Sequence, residues 1–170
     1  LKHGYLVIHN GIIKNDDELK EQHEKEGFKY TTDDQEDKRF NDSECLAIEI
    51  AKFVEEQTTV VGAIGSCAFI ALQYDKKTKT TLQIFYGRNT NPLKLAKSRN
   101  YLYLSSEGKG EDIKVDTLYS FNLKDFKIHK KDMKIKQFDA CITTITPIKT
   151  YWDKEKEIEM PKYIFITGGV

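Results

Sequence analysis

The sequence has few cysteines, prolines and tryptophans, and it has no long apolar run. Its 170 residues contain three prolines, one tryptophan and three cysteines, which are Cys45, Cys67 and Cys141. An odd number of irregularly spaced cysteines excludes the paired framework of a small disulfide-rich domain and favours a reducing compartment. No stretch approaches the roughly 20 consecutive apolar residues that a bilayer span needs. We therefore expect a cytoplasmic protein with no membrane partner.

The chain also lacks an excess of charge of either sign, since 27 Lys and Arg residues balance 27 Asp and Glu residues. Without a basic excess, nothing attracts it to nucleic acid, and we expect no nucleic-acid partner. Hydrophobic residues make up 39% of the chain and charged residues 32%. This composition is typical of one folded domain with a well-solvated surface. The first residue is Leu1 rather than Met, so we expect a piece of a longer protein.

The first part of the chain predicts a strand followed by a helix. Residues 5–8 are apolar and partly β-branched, and we expect a buried strand that ends in a tight turn at His9-Asn10-Gly11. A surface helix is predicted to begin at Asn15, its candidate N-cap, and to end near Gly27, because glycine commonly follows the last residue of a helix.

A second helix and several strands follow. Asp42 or Ser43 is the candidate N-cap of that helix, whose apolar residues recur at helical spacing at Leu46, Ala47, Ile50, Ala51, Phe53 and Val54. Strands over 60–72, 81–86 and 101–106 are predicted to form a meander, and further strands are predicted over 117–121, 126–129 and 140–148. The order predicts an α+β domain over residues 1–150 with a mostly antiparallel sheet. Residues 151–170 are predicted to be a charged linker and a terminal strand-like tail.

Two of these motifs together resemble a known family. A strand that runs into His9-Asn10-Gly11, an Asn15 that starts a helix, and a later Asp42-Ser43-Glu44 that opens the next helix resemble the class II glutamine amidotransferase domain, an N-terminal-nucleophile (Ntn) hydrolase. The Ile12-Ile13 pair is most similar to the glucosamine-6-phosphate synthase branch. The resemblance covers about residues 5–126. It implies an αββα sandwich whose first strands are missing from this chain.

The resemblance implies a site for L-glutamine. The Asn10 side-chain amide and the Gly11 backbone N–H would form an oxyanion hole, in which removing one donor typically costs roughly 2.7–4 kcal/mol. Asp42 would pair with the α-ammonium of glutamine through a charge-assisted bond, and His9 would be a positioning residue. No cofactor is implied, and no Cys, His and Asp cluster has metal-ligand spacing.

Each of these residues also has a purely structural interpretation. Asn10-Gly11 is a common turn pair, and an aspartate at position 42 can serve only as an N-cap that contributes about 1 kcal/mol. Cys67 is expected to be an inert core thiol, and none of the three cysteines is a good nucleophile candidate. The other histidines, His3, His23 and His129, are expected on the surface.

The sequence departs from the family in its nucleophile. The family uses a Cys at the mature N-terminus, whose own amine moves the proton, and Leu1 cannot do this. The family's Arg-Trp and Thr-His-Gly segments are absent too. We expect an intact parent to hydrolyse glutamine to glutamate and ammonia for an attached synthase domain, and residues 1–170 alone to be inactive. Two alternatives remain open: a non-catalytic binding or assembly module, and a split enzyme whose N-terminal half is another chain.

Overall fold

The computed structural model describes residues 1–32, 40–97, 101–124 and 127–137. All of them lie in one unit of the chain, Leu1–Phe138. The strand predicted over 140–148, Cys141, the domain boundary at residue 150 and the 151–170 tail lie outside the described residues.

The first strand, β1 (Gly4–Ile13), is longer than predicted and passes straight through His9-Asn10-Gly11. The predicted tight turn is therefore wrong. β1 pairs antiparallel with β2 (Gly65–Tyr74) from end to end, with Asn10 opposite Ala68 and Gly11 opposite Cys67. The hydrogen bonds of this continuous ladder satisfy backbone N–H and C=O groups of β1 in an extended conformation. The ladder therefore overrides the preference of the Asn-Gly pair for a turn.

Two antiparallel sheets are seen within the described residues. The larger has the order β1-β2-β3-β7-β8, and the smaller has the order β5-β4-β6. The remaining strands are β3 (Thr81–Arg88), β4 (Lys94–Lys97), β5 (Leu102–Ser105), β6 (Glu111–Asp112), β7 (Thr117–Asn122) and β8 (Ile128–Asp132). The predicted meander holds for β2 and β3 only, because β5 pairs with β4 in the second sheet. Helices with antiparallel sheets confirm the α+β class.

The two helices are α1 (Asp16–Lys25) and α2 (Asp42–Val54). The apolar face predicted for α2 is confirmed, since Leu46, Ile50 and Phe53 are buried in a core cluster that also contains residues of β1, β2 and β3. The N-cap of α2 is Asn41, whose side chain accepts the Ser43 N–H, so Asp42 is not needed as a cap. No helix in the described ranges is long and apolar enough to cross a membrane.

The opposite face of the larger sheet is only half covered. A second apolar cluster there contains Tyr86 and Tyr119 from the larger sheet, with Leu95 and Leu104 of the smaller sheet packed against it. On β1, by contrast, Leu6, Ile8 and Ile12 are 60%, 52% and 54% exposed. The prediction of a buried first strand is thus right for the face toward the helices and wrong for the other face.

A buried polar network joins α1 to α2. His23, predicted on the surface, is 0% exposed. Its Nε2 lies 2.9 Å from Glu49 Oε1, and its Nδ1 lies 2.7 Å from the Tyr30 hydroxyl. Lys52 Nζ lies 3.4 Å from the same Glu49 oxygen. The surface prediction failed because α1 is polar in sequence, whereas these partners come from α2 and from the segment after α1.

The loop before β2 is held by side chains from both helical regions. Asn15 was predicted to cap α1, but its side chain makes no capping bond. Instead, Asn15 Nδ2 donates to the Gly62 carbonyl and Asn15 Oδ1 accepts the Ile64 N–H. The Gly62 N–H donates to the Glu49 carboxylate. Glu49 therefore links α1, α2 and the loop before β2.

We predict that Glu49→Ala lowers the free energy of unfolding by roughly 3–5 kcal/mol at neutral pH, because it leaves His23 and Lys52 buried without this carboxylate. Burial alone would raise the pKa of the Glu49 carboxyl, but hydrogen bonds from His23 and the Gly62 N–H, with the Lys52 charge, hold it below its ordinary value of 4.5. The stabilisation is therefore full above pH 4.5 and is lost as the pH falls through the lower pKa of the folded state.

Urea unfolding followed by circular dichroism measures this effect. The matched control is Glu24→Ala on α1, where the side chain is half exposed, and we expect a change within about 0.5 kcal/mol. Equal losses for the two variants, or a Glu49→Ala loss that does not shrink in acid, would contradict the role assigned to Glu49.

Candidate functional site

The site is built where the end of β1 meets the start of α2. Side chains alternate along a strand, so His9 faces the helices while Asn10 faces the opposite side of the sheet. The His9 side chain is 4% exposed, and its Nδ1 lies 2.8 Å from Ser43 Oγ. Its Nε2 lies 3.5 Å from Asp42 Oδ2. Two motifs more than 30 residues apart in sequence therefore meet in space.

Asp42 is a partly exposed carboxylate at the first position of α2. Its Oδ2 accepts the Ile13 N–H at 3.1 Å, and about a quarter of its side chain is exposed. Burial would raise the pKa of this carboxyl, but the His9 ring and the Ile13 N–H lower it more, so the pKa lies below its ordinary value. The N-terminal end of a helix also favours negative charge. Asp42 is thus an anion at neutral pH, held from one side and open on the other.

Gly11 is required by the packing of β1 on β2. Its φ is +152°, and a Cβ added there would lie 1.8 Å from the Ser66 carbonyl oxygen. No side chain fits at this distance. The packing of the two strands therefore requires a glycine at this position, independently of any substrate. Because glycine has no side chain, the Gly11 N–H is also left unshielded.

Two asparagines that the sequence interpretation missed support this region. Asn89 is 2% exposed, donates to the Gly65 carbonyl and accepts the Cys67 N–H, so it fixes the part of β2 that lies against Gly11. Asn91 Nδ2 donates to the Asn10 carbonyl at 2.7 Å. The signal available in the sequence was a polar Asn-Thr-Asn run directly after an alternating strand. The structural role of this run depends on which strand lies beside it in the fold.

The described cysteines are buried free thiols, as predicted for Cys67. Burial raises the pKa of the Cys45 thiol to about 11 and that of the Cys67 thiol to about 12. A thiol with so high a pKa carries almost no thiolate at neutral pH. Among the described residues, no group of three or more His, Cys, Asp and Glu side chains is placed to hold a metal ion.

The structure thus brings His9, Asp42 and Ser43 into contact and places Asn10 on the other side of the strand. The sequence predicts only a helix-cap role for Ser43, and its contact with His9 makes it a further functional candidate. His23 does not belong to this candidate site, because it is part of the buried network between the helices.

Comparison with solved structures gives the class of fold. The chain is similar to the glutamine phosphoribosylpyrophosphate (PRPP) amidotransferase from B. subtilis complexed with ADP and GMP, with 18% identity and a TM-score of 0.55. The match covers 75% of this chain and 29% of that chain. A second match is a glutamine aminotransferase class-II domain protein from Silicibacter pomeroyi, with 13% identity, a TM-score of 0.43, and coverage of 76% and 66%.

Over the matched three quarters of the chain, the fold is therefore that of part of the B. subtilis amidotransferase. The chain spans less than a third of the length of the amidotransferase that it matches. No protein-family model and no curated protein sequence matches the chain.

We predict that Gly11→Ala destabilises the protein by roughly 3 kcal/mol or more, because the new methyl group overlaps the β2 backbone at a strained φ. The matched control is Gly27→Ala, at φ +88° with no atom within 4 Å of the added Cβ. There we expect only the backbone term of about 1–2 kcal/mol. Thermal or urea unfolding compares the two variants, and equal losses would show that β1 and β2 are not in close contact at Gly11.

Proposed function

We propose that this chain is the greater part of a glutaminase domain of the class II glutamine amidotransferase type. In this proposal the domain has the αββα sandwich arrangement, and the parent protein hydrolyses L-glutamine to glutamate and ammonia for transfer to an acceptor held by a synthase domain. The N-terminal Cys nucleophile and the first strands come from a segment that is not in residues 1–170. The observation that carries the proposal is the position of Asp42 relative to the Gly11 N–H.

The Gly11 N–H and Asp42 lie along the same edge of β1. The Lys14 N–H donates to the Ile64 carbonyl on the side of β2, and the preceding Ile13 N–H points the other way and donates to Asp42. Because N–H groups alternate sides along a strand, the Gly11 N–H points to the same edge as that of Ile13, which is the free edge of the sheet among the described strands. The two N–H groups are separated by two residue rises, about 7 Å. An extended glutamine spans that distance, with its ammonium at Asp42 and its amide at Gly11.

The Asn10 side-chain amide is the second donor of the proposed oxyanion hole. It projects on the uncovered face of the sheet, next to the free edge toward which the Gly11 N–H points. A carbonyl oxygen placed at the corner between this edge and this face meets both donors. Donors fixed in advance by a strand and by the Asn91 bond to the Asn10 backbone are the kind that stabilise a tetrahedral oxyanion. His9 serves in this proposal as the residue that positions Asp42.

The exposed apolar row on β1, formed by Leu6, Ile8 and Ile12, indicates the surface against which the rest of the active site packs in this proposal. Asn10 lies between Ile8 and Ile12 on the same face, and both isoleucines are more than half exposed. Contiguous exposed apolar side chains mark a surface that another element covers. A layer placed there would bury the row and bring a nucleophile next to Asn10. That layer is either a preceding segment of the parent chain or an N-terminal half supplied by a separate chain.

The same row also favours a second candidate function. A domain that keeps this fold without chemistry would use Leu6, Ile8 and Ile12 to bind or assemble with another protein. This alternative makes no demand on Asp42 or Gly11, whereas the glutaminase proposal does. Recognition of glutamine by the chain therefore separates the two.

We expect the chain to bind L-glutamine weakly, and we expect Asp42→Asn to reduce the affinity at least tenfold, because the carboxylate that pairs with the ammonium is lost. Isothermal titration calorimetry measures both. Glutaramic acid, which is glutamine without its α-ammonium, should bind the wild-type chain no better than glutamine binds the variant. The matched control is Glu111→Gln, an exposed carboxylate on β6. If glutaramic acid binds as tightly as glutamine, Asp42 is not the ammonium site.

Catalysis distinguishes the parent protein from this chain. We expect no glutamate release by residues 1–170 above the buffer rate, and turnover by the intact parent. In the parent, Asp42→Ala should chiefly raise KM for glutamine, and Asn10→Ala should chiefly lower kcat, by about 10²–10³-fold. Turnover by residues 1–170 alone would contradict the claim that the nucleophile lies outside this chain, and unchanged kinetics in both variants would overturn the site assignment. Failure of both the chain and the parent to bind glutamine would leave the assembly module as the function.

A further inference from the structure

We propose that Ser43 is a positioning residue that selects the tautomer of His9 and thereby holds Asp42 in the orientation that binds the substrate's ammonium group. The inference rests on the proposed function and adds a residue to the same site. It follows from three contacts at the junction of β1 and α2.

The first observation is the placement of the His9 ring between two consecutive residues of α2. Nδ1 lies 2.8 Å from Ser43 Oγ, and Nε2 lies 3.5 Å from Asp42 Oδ2. The first distance is that of a good hydrogen bond, whereas the second is longer than a well-formed hydrogen bond. Ser43 therefore makes the stronger bond to the ring and decides its orientation.

The second observation is the burial of the ring. The His9 side chain is 4% exposed, and its Nε2 is a buried atom with no well-formed hydrogen bond within the described part of the chain. A nitrogen in that position is best served by carrying the proton, because the adjacent carboxylate accepts and cannot donate. The Nε2–H tautomer in turn needs a donor at Nδ1, and the Ser43 hydroxyl supplies one.

The third observation is that the carboxylate has few other supports. Besides the His9 ring, the described residues support the Asp42 carboxylate through backbone N–H groups only, that of Ile13 at 3.1 Å and that of Ser43, and about a quarter of the side chain is exposed. If the His9 proton moved to Nδ1, the lone pair of Nε2 would face Oδ2 and repel it. The carboxylate would then turn away from the free edge of β1, where the proposed substrate lies.

Ser43, His9 and Asp42 are also the residue types of a hydrolytic triad, but the geometry favours positioning. A general base must pass its proton to a leaving group. The His9 ring is enclosed between the sheet and α2, with 4% of its side chain exposed, so no leaving group reaches either nitrogen. Ser43 therefore acts through His9 on Asp42.

The test uses a matched pair, Ser43→Thr and Ser43→Val, which have the same shape and differ by one hydroxyl. Nitrogen-15 NMR of the imidazole side chains distinguishes the two tautomers, and the His9 signals are assigned by their loss in His9→Gln. Above the pH at which the ring is protonated, we expect the Nε2–H tautomer in the wild type and in Ser43→Thr. In Ser43→Val and Ser43→Ala we expect the Nδ1–H form to become populated.

Glutamine titration of the same proteins provides the second measurement. We expect Ser43→Val and Ser43→Ala to weaken glutamine binding about fivefold to tenfold, and Ser43→Thr to restore it, since a neutral hydrogen bond contributes on this scale. Unchanged tautomer populations in the Val variant would overturn the proposal, as would a tautomer change without loss of affinity. If the wild type binds no glutamine, the proposed function fails and the affinity arm fails with it, while the NMR arm still decides whether Ser43 controls His9.

Discussion

The close approach of the β1 and β2 backbones is the constraint on which the rest of the structure depends. An added Cβ would lie 1.8 Å from the Ser66 carbonyl at Gly11 and 2.0 Å from the Ile12 carbonyl at Gly65. These two glycines fix the register of the pair, and Asn89 fixes the β2 side of it. Since strand side chains alternate, a slip of one residue would exchange the faces of His9 and Asn10. Every feature of the candidate site therefore follows from this register.

The first residues of α2 place a charged side chain beside the paired strands. Asn41 provides the cap, which leaves Asp42 free to reach the edge of β1 and Ser43 free to reach the His9 ring. The carboxylate lies at the end of the helix that favours negative charge. A buried His23–Glu49–Lys52 group farther along the helices holds α1 against α2 and the loop before β2. The N-terminal end of α2, which contributes Asp42 and Ser43 to the site, is thus held in place by contacts farther along the same helix.

Patterns with one dominant period were predicted well. The α2 face defined by Leu46, Ile50 and Phe53 was recognised because apolar side chains at helical spacing must be buried together. Local signals with several meanings were predicted poorly. Asn10-Gly11 has the composition of a turn, but ten paired positions along β2 keep it extended. His23 lies on a helix with little apolar character, and only its contact with Glu49, 26 residues away, explains its burial. The partner of β5 could not be read from strand order either.

The sequence by itself determined the class of the fold and the second helix, and it singled out His9, Asn10, Gly11 and Asp42 as candidates, because periodicity and short motifs are properties of neighbouring residues. Only the tertiary structure decided that Ser43 and Asp42 share the His9 ring and that Asn10 faces away from them among exposed isoleucines. It also decided that Gly11 serves the sheet itself. These relations join residues that are distant along the chain, and they exist only once the β1–β2 register and the packing of α2 are in place.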